Sequence, residues 1–221
     1  MRRRQYLLVS GGLLAVPTNA IQATAQTAQD DDEADPHEFV EDPITIDGEG
    51  ATVTDEFDLE TGVTIAEATH DGESNFIVDL VPVDGGREQL LVNVIGDFNG
   101  ASGTMLDDPG AYLMDVDADG AWELTILQPQ AEEDDAQSLP LELEGENPTW
   151  DGPYLFEGLA TATGTHDGQG NFIVEVLPQE ELFSDLVFNE IGVFEGETTV
   201  DTEGVGYVTV EADGPWSLTI D

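Results

Sequence analysis

The sequence has no cysteine and no lysine, and its four basic residues are Arg2, Arg3, Arg4 and Arg87. Without sulfur ligands there is no disulfide framework, no zinc ribbon and no thiol nucleophile. Without a basic patch there is nothing to neutralise phosphates, so direct nucleic-acid binding is excluded. Runs of about 20 apolar residues, the length that spans a bilayer as a helix, are also missing. No stretch carries a 3.6-residue apolar period with helix caps. Gly-rich phosphate loops followed by helices, nucleophile elbows and N-x-S/T sequons are absent as well.

Acid is abundant: 49 Asp and Glu give a formal charge of −45 over 221 residues. At ordinary ionic strength that charge works against a compact state. In molar salt the Debye length falls to about 3 Å, and neighbouring carboxylates scarcely sense each other. The chain is still 39% hydrophobic, which marks a folded protein rather than an acidic disordered chain. The economical reading is a halophilic protein built for concentrated brine. A DNA mimic or cation sponge would gather its carboxylates on one face, whereas these are spread over strands, turns and linkers.

Residues 1–25 contain no acid. Arg2-Arg3-Arg4-Gln5-Tyr6-Leu7-Leu8, an apolar run to Val16, Pro17 and the small-residue site Ala23-Thr24-Ala25 predict a removable export signal of the twin-arginine type. Residues 26–44 are polar, acidic and Pro-containing, the composition of a disordered stalk. With no apolar tail after Ser217 and no lipidated cysteine, no stable membrane anchor is expected once the signal is removed. The predicted location is extracellular or at the cell surface.

The most informative feature is an internal duplication. Thr69-His70-Asp71-Gly72-Glu73-Ser74-Asn75-Phe76-Ile77-Val78 recurs as Thr165-His166-Asp167-Gly168-Gln169-Gly170-Asn171-Phe172-Ile173-Val174, 96 residues on. After Gly196 two residues are lost, and Ala118-Asp119-Gly120-Ala121-Trp122 matches Ala212-Asp213-Gly214-Pro215-Trp216 at an offset of 94. Tyr207 stands one place away from the position matching Tyr112. Apolar alternation between Asp-Gly and Pro-Gly turn signals predicts short strands throughout. The expected fold is all-β: two tandem small antiparallel β-sandwich domains after the signal and stalk. The domains are placed at 45–128 and 139–221, with an acidic linker over 129–138. Leu139-Pro140-Leu141-Glu142-Leu143 is expected to open the second as the counterpart of Thr52-Val53-Thr54. The combined pattern His-Asp-Gly-x-x-Asn-Phe-x-Val, Gly-x-Phe-x-Gly and Ala-Asp-Gly-x-Trp resembles a small β-sandwich module of exported haloarchaeal and some bacterial proteins. That resemblance implies an all-β fold and extracellular life, and no chemistry.

Five residues are candidate metal ligands. His70 and His166 end predicted strands beside Asp71 and Asp167, and imidazole is both a ligand and a base near neutrality. Adjacent strand residues point to opposite faces, however, and turn chemistry alone accounts for His, Asp and Gly at such a junction. Asp115-Val116-Asp117-Ala118-Asp119-Gly120 matches the start of a calcium loop, but the twelfth position, where an EF-hand needs Glu, is Ile126. Simple alternation instead turns Met114, Val116 and Ala118 inward and Asp115, Asp117 and Asp119 to solvent. Trp122 and Trp216 are expected in the core, and Trp150 in a loop, as an exposed binding residue or a cap on the domain edge. The expected function is non-catalytic binding, adhesion or surface structure, the ligand a cell-surface glycan or protein. The alternative is an extracellular hydrolase, metal-dependent or carboxylate-based, with its site between the two domains.

Overall fold

A computed structural model describes residues 42–221, together with the backbone of Glu38–Phe39. The expected export signal lies outside the described residues, as do residues 26–37, 40 and 41 of the expected stalk. The described residues are all-β, with no helix and with antiparallel pairing throughout except between Gln137–Ser138 and the strand Thr149–His166, which run parallel.

The strands are β1 (Glu38–Phe39), β2 (Ile44–Glu49), β3 (Thr52–Val53), β4 (Phe57–Leu59), β5 (Gly62–His70), β6 (Asn75–Pro82), β7 (Gln89–Ile95), β8 (Phe98–Leu106), β9 (Gly110–Asp117) and β10 (Ala121–Leu127). They continue with β11 (Pro129–Gln130), β12 (Gln137–Ser138), β13 (Leu141–Gly145), β14 (Thr149–His166), β15 (Asn171–Pro178), β16 (Asp185–Ile191), β17 (Phe194–Ala212) and β18 (Trp216–Ile220). Within the stretch expected as stalk, β1 pairs with β11 of the expected linker.

In the first repeat a sheet ordered β2-β10-β5-β8 faces a sheet ordered β3-β9-β6-β7, with β4 also paired to β9. Alternation does the sorting. Ala66, Ala68, Trp122, Leu124 and Ile126 from one sheet meet Phe76, Val78, Leu80, Met114 and Val116 from the other. Between them on β9, Asp115 and Asp117 stay exposed. The second repeat is one seven-stranded sheet, ordered β13-β18-β14-β17-β15-β16 with β12 on β14. Its β14 has 18 residues and β17 has 19, and residues from both ends of each strand meet in one core. The sheet therefore folds over on itself.

Four glycines mark where each repeat turns the corner. Gly62 and Gly110 open β5 and β9 after breaks in the ladder, with φ of 133° and 151°. The matching Gly158 and Gly204 have φ of 93° and 84°, and there the strands run on unbroken. Backbone angles of this kind carry no steric penalty only for glycine. The two residues missing from the second repeat are what removes the loop: Asp107-Asp108-Pro109 separates β8 from β9, whereas β17 passes straight through. The first strand of the second repeat also differs from expectation. Gly145 pairs with Trp216 as Gly48 pairs with Trp122, so β13 is the counterpart of β2 and not of Thr52–Thr54.

The described residues belong to one compact unit, and a third apolar cluster joins the repeats. Val63, Ile65, Ala101 and Leu127 pack with Leu177, Val205 and Tyr207. The first repeat contributes the outward face of β5 and β8, where Val63 pairs Met105, Ile65 pairs Gly103 and Glu67 pairs Ala101. A side chain on Gly103 would collide with Leu177 and Thr209, so close approach fixes glycine there. The same register recurs in the second repeat as Leu159 with Asp201, Thr161 with Thr199 and Thr163 with Glu197. That face is polar and largely exposed. Identical backbones thus carry an adhesive face in one repeat and a wetted face in the other. Tyr207 follows the same logic: its one-place shift moves it to the opposite side of the strand, out of the position that Tyr112 fills in the first core and into the inter-repeat cluster.

This asymmetry is measurable. Val63→Ala is expected to lower unfolding free energy by about 1–2 kcal/mol. Leu159→Ala, the matching change on the exposed face, is expected to cost under about 0.5 kcal/mol. Urea unfolding at constant molar salt checks both, and equal losses would contradict the assignment of faces.

Candidate functional site

Each repeat contains one histidine station, and the two rings keep the same partners. His70 ends β5 and His166 ends β14, both side chains fully buried. Nδ1 lies 2.8 Å from the Gly96 carbonyl in the first and 2.9 Å from the Gly192 carbonyl in the second. A carbonyl only accepts, so Nδ1 carries the proton. The rings stack on Phe76 and Phe172, with centroids 4.6 and 5.2 Å apart.

The carboxylate beside each ring comes from the Ala-Asp-Gly motif and not from the adjacent aspartate. Nε2 of His70 is 3.5 Å from Asp119 Oδ1, and Nε2 of His166 is 3.2 Å from Asp213 Oδ1. These approaches lack hydrogen-bond alignment, so they are charge contacts only when the ring is protonated. Asp119 accepts the Glu73 and Ser74 amides at 3.3 and 3.0 Å. Asp213 accepts those of Gln169 and Gly170 at 3.3 and 2.8 Å. Asp71 accepts the Ala121 amide at 2.7 Å; in the second repeat Pro215 offers no N–H for Asp167. A side chain on Gly72 or Gly168 would strike both the imidazole and the carboxylate. The residues singled out as His-Asp-Gly therefore form a lock between two turns.

Of the calcium-like aspartates, Asp115 and Asp117 are exposed along β9 and Asp119 serves the histidine station. Among the described residues no group of three or more His, Asp or Glu is arranged to hold a metal ion. Trp150 lies in β14 rather than in a loop and is half-buried. Its indole N–H donates to Glu67 Oε1 at 2.8 Å, across the repeat boundary, and its ring sits 6.0 Å from that of Tyr207. Trp122 and Trp216 are buried core residues whose indoles donate to the Gly50 and Asn147 carbonyls.

Beside Trp150 a cleft of about 560 Å³ opens between the repeats, walled by Glu67 and Glu123 on one side and Glu144 and Glu146 on the other. Sequence reading missed this cleft because its walls are distant in the chain. The one available signal was Asn147-Pro148 shortly before Trp150.

In the first repeat Asp79 and Asp115 are cross-strand partners. Desolvation first, then Glu88 and Asp115, raise the Asp79 carboxyl above its ordinary range. Burial likewise raises the phenols of Tyr112, Tyr154 and Tyr207, with Asp108 and Asp151 adding to the first two. A raised carboxyl binds its proton more tightly in the folded state, so Asp79 favours folding as pH drops through its folded value and opposes it above. Asp79→Asn is accordingly expected to raise the melting temperature near neutral pH by roughly 2 °C. The gain should vanish below the ordinary aspartate range, where the wild-type carboxyl is protonated in both states. Melting curves across pH at fixed salt test this; a gain that persists in acid would contradict it.

No protein-family model matches the sequence, and no curated protein matches it. Among solved structures, the chain is similar to the formate complex of oxalate decarboxylase from Lactobacillus farciminis, at 9% identity over 83% of this chain and 85% of that one. The TM-score is 0.20, and at that level the likeness carries no argument about fold or chemistry.

Proposed function

We propose that this is an exported, salt-adapted protein with a non-catalytic role, binding a cell-surface glycan or protein or contributing to surface structure. The observation that carries the reading is how the two histidines are used. Both are buried, proton-donating to a carbonyl and stacked on phenylalanine in the same way. A group spent on holding a turn in duplicate is a structural element rather than a free base. The carboxylates support the brine reading: on β9, β10 and β13 they occupy exposed positions that alternate with buried or partly buried ones, where solvent and salt meet them. Export through the twin-arginine route rests on Arg2-Arg3 and the apolar run that follows.

The carboxylate-walled cleft favours the second reading, a hydrolase acting between the repeats, because paired carboxylates are the minimal equipment for glycoside hydrolysis. Glu67 and Glu144 are the residues to test. Capture of native envelope material in molar salt, unaffected by Glu67→Gln with Glu144→Gln, supports the binding reading. Polysaccharide cleavage that this double variant abolishes would replace it.

Dilution tests the salt adaptation. Lowering KCl from about 3 M to about 0.1 M lengthens the Debye screen to about 10 Å, and the far-UV and near-UV circular dichroism of the fold are expected to collapse together. A chain that keeps both signals in dilute buffer would remove brine as the reason for the acids.

A further inference from the structure

Among the described strands of seven residues or more, only β7 and β8 contain no charged side chain. Both are sheet edges. Edge strands are ordinarily guarded by charge against pairing with other chains. The other edge strands of five residues or more follow that rule, with Asp47 and Glu49 on β2, Glu142 and Glu144 on β13, and Asp185 and Glu190 on β16. In a molecule of charge −45, an uncharged edge is the exception that needs a cause.

The two uncharged edges border one groove of about 320 Å³ between the repeats. Five consecutive residues of β7, Leu90 to Val94, line it. Successive strand residues point to opposite faces, so an unbroken run along a groove means that the backbone edge itself is presented. Leu90 is 57% exposed. The Ser102 hydroxyl, also in the lining, is buried and has no hydrogen-bond partner. Ile173 and Thr209 supply the opposite wall, flanked by Glu175 and Glu211.

We propose that this groove takes an extended peptide segment of a partner protein, which adds to β7 as a further strand. This rests on the reading of the chain as a binding protein and names its partner class. Main-chain hydrogen bonds to the open edge supply affinity, and apolar side chains at alternate positions of the segment fill the space beside Leu90 and Ile173. The segment lacks acids, because Glu175 and Glu211 would oppose a carboxylate at contact distance even where salt screens longer range. A second copy of this chain fits less well through β2, β13 or β16, each of which would bring carboxylates to that wall.

The test is to pan a library of random displayed peptides on the full chain in molar KCl. Acid-poor peptides with alternating apolar residues are expected to be enriched. Their binding should fall about tenfold or more on N-methylation of alternate peptide amides, and equally with Leu90→Asp, as strand addition requires. Leu90 is exposed, so Leu90→Asp should melt like the wild type; should it fail to fold, Asn93→Asp, also exposed on β7, takes its place. No enrichment, or binding that survives both N-methylation and the β7 variant, overturns the proposal. So does sedimentation showing a dimer that the β7 variant dissolves, which assigns the edge to a second copy. If wild type and β7 variant capture the same envelope material, binding stands and the groove falls; if neither captures any, the wider reading falls first.

Discussion

Arg87 is the only Lys or Arg among the described residues, which also hold most of the 49 acids. A carboxylate in this fold therefore has almost no cation to be buried against, and burying it alone is prohibitive. Nearly every acid must reach solvent. Everything that joins strand to strand, sheet to sheet and repeat to repeat is then left to apolar side chains, backbone hydrogen bonds and glycine. The turn locks show the outcome: Asp71, Asp119 and Asp213 are satisfied by amide N–H groups rather than by cations. At Asp79, partly desolvated and facing Glu88 and Asp115, the proton is held more tightly instead.

The same constraint governs how the duplicated halves meet. A joint without salt bridges needs apolar surface, and apolar surface left over would be a liability. The first repeat presents Val63, Ile65 and Ala101 where the second has Leu159, Thr161 and Glu197. Only one of the two equivalent faces is adhesive. Trp150, reaching back to Glu67, seals the margin of the joint.

Much of the architecture was legible because strand alternation is a local signal. Trp122, Leu124 and Ile126 facing inward between Glu123 and Thr125 is read directly from the residue order, and the structure places them so. The inward Met114, Val116 and Ala118 were equally plain. What escaped reading was non-local. The partner of His70 is Asp119, 49 residues on, and nothing near His70 in the chain announces it. Trp150 looked like a loop residue because Pro148 and Gly152-Pro153 flank it, yet tertiary pairing draws Thr149 to His166 into a single strand. The counterpart of β13 was misjudged for a related reason: the matching feature is a glycine beneath a tryptophan ring, Gly48 or Gly145, and the surrounding residues differ.

The corner glycines separate the two halves mechanically. In the second repeat the ladder between β14 and β17 crosses the corner at Gly158 and Gly204, so the halves of the folded sheet share one continuous set of rungs. In the first, the corresponding ladders stop at Gly62 and resume beyond Pro109, leaving two hinges tied chiefly by the Gln128 side chain to the Glu60 backbone. Breathing of the first repeat can begin at those hinges without tearing a ladder. The first repeat is thereby the compliant half of a stiff pair.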